Sequence, residues 1–392
     1  MILRYPEYYE QFQCIAGRCE DTCCAGWEID IDDDSYKYYM SIEGEFVERL
    51  RNSIKEYEID DEDVYESHGF ILTDKHRCPF LDNNNLCDLY RELGEEALCD
   101  VCTDTPRNYL EYGGDRELSL SASCAEAGRL LYGNPEKITF VEKQLDEVLD
   151  FEETQEELVL ADAVRFARNN AIQILQNRNI SISSRMLYFL KYAECVQHCL
   201  NEDTPEKIKN IDFSSFLDGS TTVDCEAEKE TVYLLFLKRF KTFTGLESIS
   251  EEWEEMLRLI QQRYVQKENG ADDYIQERRF FWKDLERQGR LYEYEHMLVY
   301  YSFLCLARCV DDYDFLAKAK LVIVSFLMIL DMDCACYAKQ GRHYTKQDRV
   351  RNARIYAKEV EHSGENLDYL ADEFLFEDAY KIENLCLVLT IV

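Results

Sequence analysis

Breakers are scarce in this 392-residue chain, which has only 15 glycines and 5 prolines, and the last proline is Pro205. Together they make about 5% of the chain, where an average globular protein carries roughly 12%. Such a poverty of breakers, with 46% apolar content, argues against a disordered chain and predicts a mainly α fold. Basic charge is also short. The 44 Lys and Arg face 79 Asp and Glu, a net charge of −35, which excludes a phosphate-tracking nucleic-acid binder and an anchor for anionic membranes. Long apolar runs are missing too. The best, Leu321 to Leu330, spans ten residues where a membrane crossing needs about 20, so it reads as a buried helix segment and no membrane insertion is expected. No secretory signal is visible in MILRYPEYYEQFQC, and a cytoplasmic location follows as the expectation. No two glycines stand as Gly-x-Gly, so no Rossmann fold is expected.

Cysteine, by contrast, is abundant. Of 17, nine (Cys14, Cys19, Cys23, Cys24, Cys78, Cys87, Cys99, Cys102 and Cys124) lie in the first 124 residues. In a reducing compartment such a set points to a soft or borderline metal rather than to disulfides. Cys99-x2-Cys102 has the reach of a chelating pair. Cys19-x3-Cys23 opens the spacing of a radical S-adenosylmethionine site, but Gly26 stands where its third cysteine should be. Iron–sulfur and zinc both remain open at this point. Cys19, Cys23, Cys78, Cys87, Cys99, Cys102 and Cys124 rank first as ligands, with a subset of four expected; Cys14 and Cys24 rank behind them. Cys195/Cys199 and Cys305/Cys309, at i, i+4 on apolar helix faces, read as core.

The break Gly133-Asn134-Pro135 sets an expected boundary between a cysteine-rich metal-binding domain with short strands (1–133) and an α-helical domain (134–392). Loops are expected at Asp82–Asn85 and Gly113–Asp115, and a short strand at Leu118–Ser121. Apolar spacing predicts helices around 158–171 and 232–240, after a capping box at Ser248–Glu251, over 346–361, and as two long elements, 273–310 and 313–339.

Phe12-Gln13-Cys14, Cys19 through Trp27, Cys78-Pro79-Phe80-Leu81-Asp82, Leu98-Cys99, Cys102 with Pro106-Arg107, and Ser121-x2-Cys124 together resemble the flagellin lysine-N-methylase (FliB) family. The cysteine elements also look like small zinc- or iron-chelating cysteine-cluster proteins, and Lys358 to Leu367 is similar to the family's C-terminal segment. The resemblance implies a protein-lysine N-methyltransferase that takes methyl from S-adenosylmethionine, acts on flagellin in the cytoplasm, and carries an iron–sulfur cluster, 4Fe-4S, with zinc as the alternative metal. Glu361 and His362 enter as candidate catalytic residues on that resemblance. Chemistry adds others. Methylating lysine needs a neutral amine, although free lysine titrates near 10.4, so a base and cation-stabilising aromatic faces are required. Tyr294, Glu295, His296 and Tyr300 supply both on one helix, with Tyr301 as a further wall. The acidic balance would steer a lysine-bearing partner. The alternatives are a non-enzymatic, metal-stabilised scaffold that binds a partner, or a redox protein; the sequence is silent on oligomeric state.

Overall fold

The computed structural model describes residues 1–57, 67–74, 76–147, 153–218 and 228–390. It is about 63% helical with a small sheet region. Seven strands are present among the described residues: β1 (Ile2–Pro6), β2 (Asp30–Ile31), β3 (Ile54–Glu56), β4 (His68–Phe70), β5 (Arg107–Tyr112), β6 (Asp115–Leu120) and β7 (Phe140–Gln144). They form a four-stranded sheet in the order β5-β6-β1-β7 and a three-stranded sheet in the order β2-β4-β3. Neither is the doubly wound parallel sheet of a dinucleotide-type cofactor fold.

Two compact units interleave along the chain. One comprises residues 12–108 and 120–128; the other comprises 1–11, 109–119 and 129–392. The break at Gly133–Pro135 falls a few residues past the last crossing.

In the cysteine-bearing unit, β4 pairs antiparallel with both β2 and β3. Ile31, Tyr39, Leu50, Phe70 and Phe80 form its core with Cys78 and Cys99.

In the other unit, β1 runs parallel to β6 and antiparallel to β7. Gly113 and Gly114, at φ 60° and 70°, make the two-residue turn between β5 and β6, a conformation that suits the twist of a hairpin and that side chains resist. The alternation at Leu118–Ser121 lies largely in β6. Among the described residues, ten α-helices of eight or more residues follow: α1 (Gln155–Leu175), α2 (Ile182–Asn201), α3 (Lys229–Phe243), α4 (Glu251–Ile260), α5 (Gly270–Arg287), α6 (Tyr292–Cys305), α7 (Phe315–Lys339), α8 (Lys346–Val360), α9 (Gly364–Phe376) and α10 (Ile382–Leu389). α7 is the central helix, packed by α2, α5, α6 and α8. By length and composition it could cross a membrane, yet 89% of its apolar window is buried by protein; this is a core helix.

Three helix expectations are corrected. The element expected over 273–310 is two helices. Gly289 at φ 67° ends α5, with Arg290 N–H donating to the Leu285 carbonyl at 2.9 Å, a Schellman-type stop that apolar spacing cannot register. The cap of α4 is Ser250, whose hydroxyl accepts from Trp253 N–H, not Ser248. Cys195 is exposed, whereas Cys305 and Cys309 are buried as expected.

Candidate functional site

α6 carries Tyr294, Glu295, His296 and Tyr300, and the fold sends them to four different places. Tyr294 Oη donates to Asp333 Oδ2 at 2.6 Å, with the Arg349 guanidinium 3.9 Å above its ring. Glu295 is buried between Arg185 at 2.6 Å and Arg178 at 2.8 Å. His296 faces two main-chain carbonyls, Leu131 O at 2.8 Å and Glu136 O at 2.7 Å. Each of these three is held in a packing network.

Tyr300 differs. Its hydroxyl donates at 2.8 Å to Oε2 of Glu361, the residue that ends α8 as its C-cap. A carboxylate at that end meets the negative pole of the helix dipole, an unfavourable placement that local helix energetics would not select. Phenols surround it. Tyr301 packs edge-on against Tyr300 at 4.9 Å and against Tyr356 at 6.0 Å. Tyr8 and Tyr132 lie within electrostatic reach of Glu361, and burial first, then that charge among others, pushes both phenols up. Tyr301 is raised for the same reasons, and its buried hydroxyl has no hydrogen-bond partner among the described residues. The phenols therefore stay protonated. The result is a carboxylate at the edge of a wall of neutral aromatic faces, suited to an ammonium or sulfonium group. His362 follows Glu361 and is exposed. Tyr8 and Tyr132 were not legible as members, because they come from the N-terminal 3-10 turn and from the segment before β7, far from α6 in sequence.

The cysteine-bearing unit brings sulfurs together in two neighbourhoods. Cys99 Sγ lies 3.4 Å from Cys102 Sγ. Cys24, Cys78 and Cys87 share that core, and Cys78 N–H donates to the Cys24 carbonyl at 2.8 Å. Cys87 caps the helix Asp88–Leu93, its sulfur accepting from Tyr90 N–H, but burial outweighs that hydrogen bond and pushes the thiol up. The contact with Cys102 holds the Cys99 thiol below its usual range against the effect of burial. The same contact raises Cys102, and burial pushes Cys78 up to about 12. Apart from these, Cys124 is within electrostatic reach of Cys19 and Cys23, and burial pushes it up to about 11. Cys14 is exposed. Cys24, ranked behind its neighbour on sequence, thus lies with Cys78 and Cys102, whereas Cys23 lies with Cys124.

No disulfide joins any of the sixteen described cysteines. No three His, Cys, Asp or Glu side chains among the described residues already converge in ligand geometry. The donor set fits a thiophilic metal or cluster in kind, since five unpaired thiols share one core and one of them is held toward its thiolate form; the ligand geometry is not preformed.

The FliB lysine N-methylase C-terminal domain matches residues 168–388, which include Tyr300 and Glu361. A lysine-N-methylase of Salmonella typhimurium strain LT2 is 28% identical over 142 residues, covering 36% of this chain and 35% of that protein; the relative from Salmonella choleraesuis strain SC-B67 matches to the same extent. The chain therefore aligns with about a third of the length of these curated relatives. The flagellar biosynthetic protein FliU of Salmonella muenchen is 25% identical over 153 residues, covering 36% of this chain and 82% of that protein. No solved structure matches. With more than half of its residues inside the family's C-terminal domain, this chain belongs to the FliB lysine N-methylase family.

Proposed function

We propose that the protein transfers a methyl group from S-adenosylmethionine to the ε-amine of surface lysines of flagellin, in the cytoplasm, and that Glu361 is the base. The supporting observation is the Tyr300–Glu361 pair at 2.8 Å, set among phenols that burial keeps neutral. The incoming lysine is an ammonium with no lone pair. The Glu361 carboxylate attracts it and accepts one Nζ proton. The freed nitrogen lone pair then forms the new N–C bond to the sulfonium methyl as the C–S bond breaks, and S-adenosylhomocysteine leaves with that electron pair. The methylated nitrogen is again an ammonium, and the proton taken up by Glu361 passes to solvent, which restores the carboxylate. Tyr300 holds the carboxylate oriented by its hydrogen bond, and the aromatic faces stabilise the cationic groups before and after transfer.

Cys24, Cys78, Cys87, Cys99 and Cys102 are the residues that would hold an iron–sulfur cluster, with zinc as the alternative. Such a group supplies a redox-capable iron centre and the cross-links that fold a thiol-rich segment.

The test is transfer of labelled methyl to purified flagellin by wild type, Glu361→Gln and Tyr300→Phe. Transfer by wild type that falls steeply in Glu361→Gln supports the reading. A Glu361→Gln protein with full transfer removes the base from it.

A further inference from the structure

Away from Tyr300 and Glu361, two arginines are sealed inside the helical unit against a single acid. Arg239 on α3 and Arg278 on α5 are 3% and 1% exposed, and both ion-pair with Asp331 on α7, itself 1% exposed. Tyr274 joins them: its hydroxyl donates to Asp331 Oδ1 at 2.9 Å and accepts from Arg278 Nη1 and from Arg239 Nη2. Among the described residues no second carboxylate pairs with either guanidinium. Two positive charges therefore meet one negative charge in a water-poor core.

Other buried arginines of this unit are not left this way. Arg290 and Arg349 are matched by Glu293 and Asp333. At Glu295 two arginines also share one acid, but the Arg178 side chain is 36% exposed, so its surplus charge reaches water. At Asp331 neither arginine does.

Donors are orphaned at the same place. Arg278 Nε and Nη2, Arg239 Nε and Tyr264 Oη are buried without a hydrogen-bond partner among the described residues; the Tyr264 ring packs on Tyr274 at 5.5 Å. Every orphan is a donor. A buried donor left unmade is costly, more so on a charged group, and an unmatched buried charge costs more again. A water molecule would accept these hydrogen bonds and leave the charge uncompensated. A compact anion answers both demands.

We propose that the Arg239–Arg278 pair is a structural site for one small monovalent anion, chloride or an ion of similar size, held by Arg278 Nε and Nη2 beside Tyr264. The site is independent of methyl transfer.

Thermal unfolding at fixed ionic strength and pH tests it, with sodium gluconate replaced stepwise by sodium chloride, bromide or formate. Wild type is expected to show a saturable rise in Tm, roughly 2 °C at ten times the dissociation constant, with all three small anions. Arg278→Met leaves one arginine facing one acid, and its Tm is expected to be the same in chloride and gluconate. Bromide-soaked wild-type crystals provide a readout that needs no variant, with an anomalous peak expected within hydrogen-bonding distance of Arg278 Nε and Nη2. A wild-type Tm indifferent to the anion, an unchanged anion response in folded Arg278→Met, or only water beside Arg278 in the bromide crystals would each overturn the proposal.

Discussion

The hydroxyl of Tyr300 and the carboxylate of Glu361, sixty-one positions apart in sequence, meet at 2.8 Å and join the middle of α6 to the last turn of α8. If Glu361 takes the lysine proton, Glu361→Gln should lower methyl transfer by about 10²–10⁴-fold, the range general bases supply. Tyr300→Phe, which deletes one hydrogen bond to a charged group, should cost about ten- to a hundredfold. Far-UV circular dichroism of both variants should match wild type.

Glu295 should behave in the opposite way. Its buried carboxylate pairs with the buried Arg185 as well as with the part-exposed Arg178, and removing one member of a buried ion pair costs about 3–5 kcal/mol. Glu295→Ala is expected to unfold at much lower denaturant concentration yet methylate normally per folded molecule. A stable but inactive Glu295→Ala would show that this residue takes part in the chemistry.

Acid sensitivity has an identifiable source in β6. Burial alone would raise the pKa of Glu117, but the Arg168 guanidinium, then Arg4 and the Tyr112 hydroxyl, outweigh it and hold the carboxyl below the ordinary 4.5. The unfolded chain therefore binds this proton at higher pH than the folded one. The stabilisation is complete above about pH 4.5 and drains away as pH falls through the lower folded value. Glu117→Gln should be less stable at neutral pH and show a shallower loss of Tm below pH 4.5; an unchanged slope refutes the assignment.

Metal content should follow the sulfur neighbourhoods. Cys99→Ser, Cys102→Ser and Cys24→Ser are each expected to lower the iron content of anaerobically purified protein and its absorbance near 400 nm. They should also lower the unfolding temperature, because metal binding contributes to folding in such units. Cys195→Ser, which alters an exposed thiol on α2, should leave all three unchanged. Iron retained in Cys24→Ser but lost in Cys23→Ser would move the ligand set to the other neighbourhood.

Gly270 opens α5 against a π-helical turn, Gln261–Val265. A Cβ there would stand 2.1 Å from the Tyr264 carbonyl oxygen and 2.6 Å from Tyr233 Oη. These two atoms are themselves hydrogen-bonded at 2.7 Å. The obstacle includes main chain and cannot swing away, so Gly270→Ala should cost about 1–3 kcal/mol, measurable by urea denaturation.

Amphipathic spacing identified α1, α3 and α8 because their apolar residues recur at the helical period and face one side. The same signal ran through Gly289, since a positive-φ stop leaves the apolar residues on either side in helical register. Of the six candidate catalytic residues, spacing could place Tyr294, Glu295, His296 and Tyr300 on one helix, but a fully buried helix presents every face to some neighbour, so shared helix membership did not mean a shared site. Glu361 came from family likeness, and its meeting with Tyr300 is a long-range contact that no local pattern encodes. Among the cysteines, adjacency misled for Cys23 and Cys24: successive side chains diverge, and the Cys78–Cys24 backbone hydrogen bond decides which of them turns toward Cys102.

The interleaving of the two units has a practical outcome for anyone dissecting the protein. A truncation that begins near residue 134, the obvious cut for isolating the helical part, discards β1 and the β5–β6 hairpin, strips β7 of the neighbour that carries all of its pairing, and leaves Arg168 facing no Glu117. Conversely, transplanting the cysteine-bearing unit means severing the polypeptide at 11/12, 108/109, 119/120 and 128/129. Deletion clones of either half would report damage to the remainder as much as the role of what was removed, so single-residue exchange in the intact chain is the sound route to assigning roles.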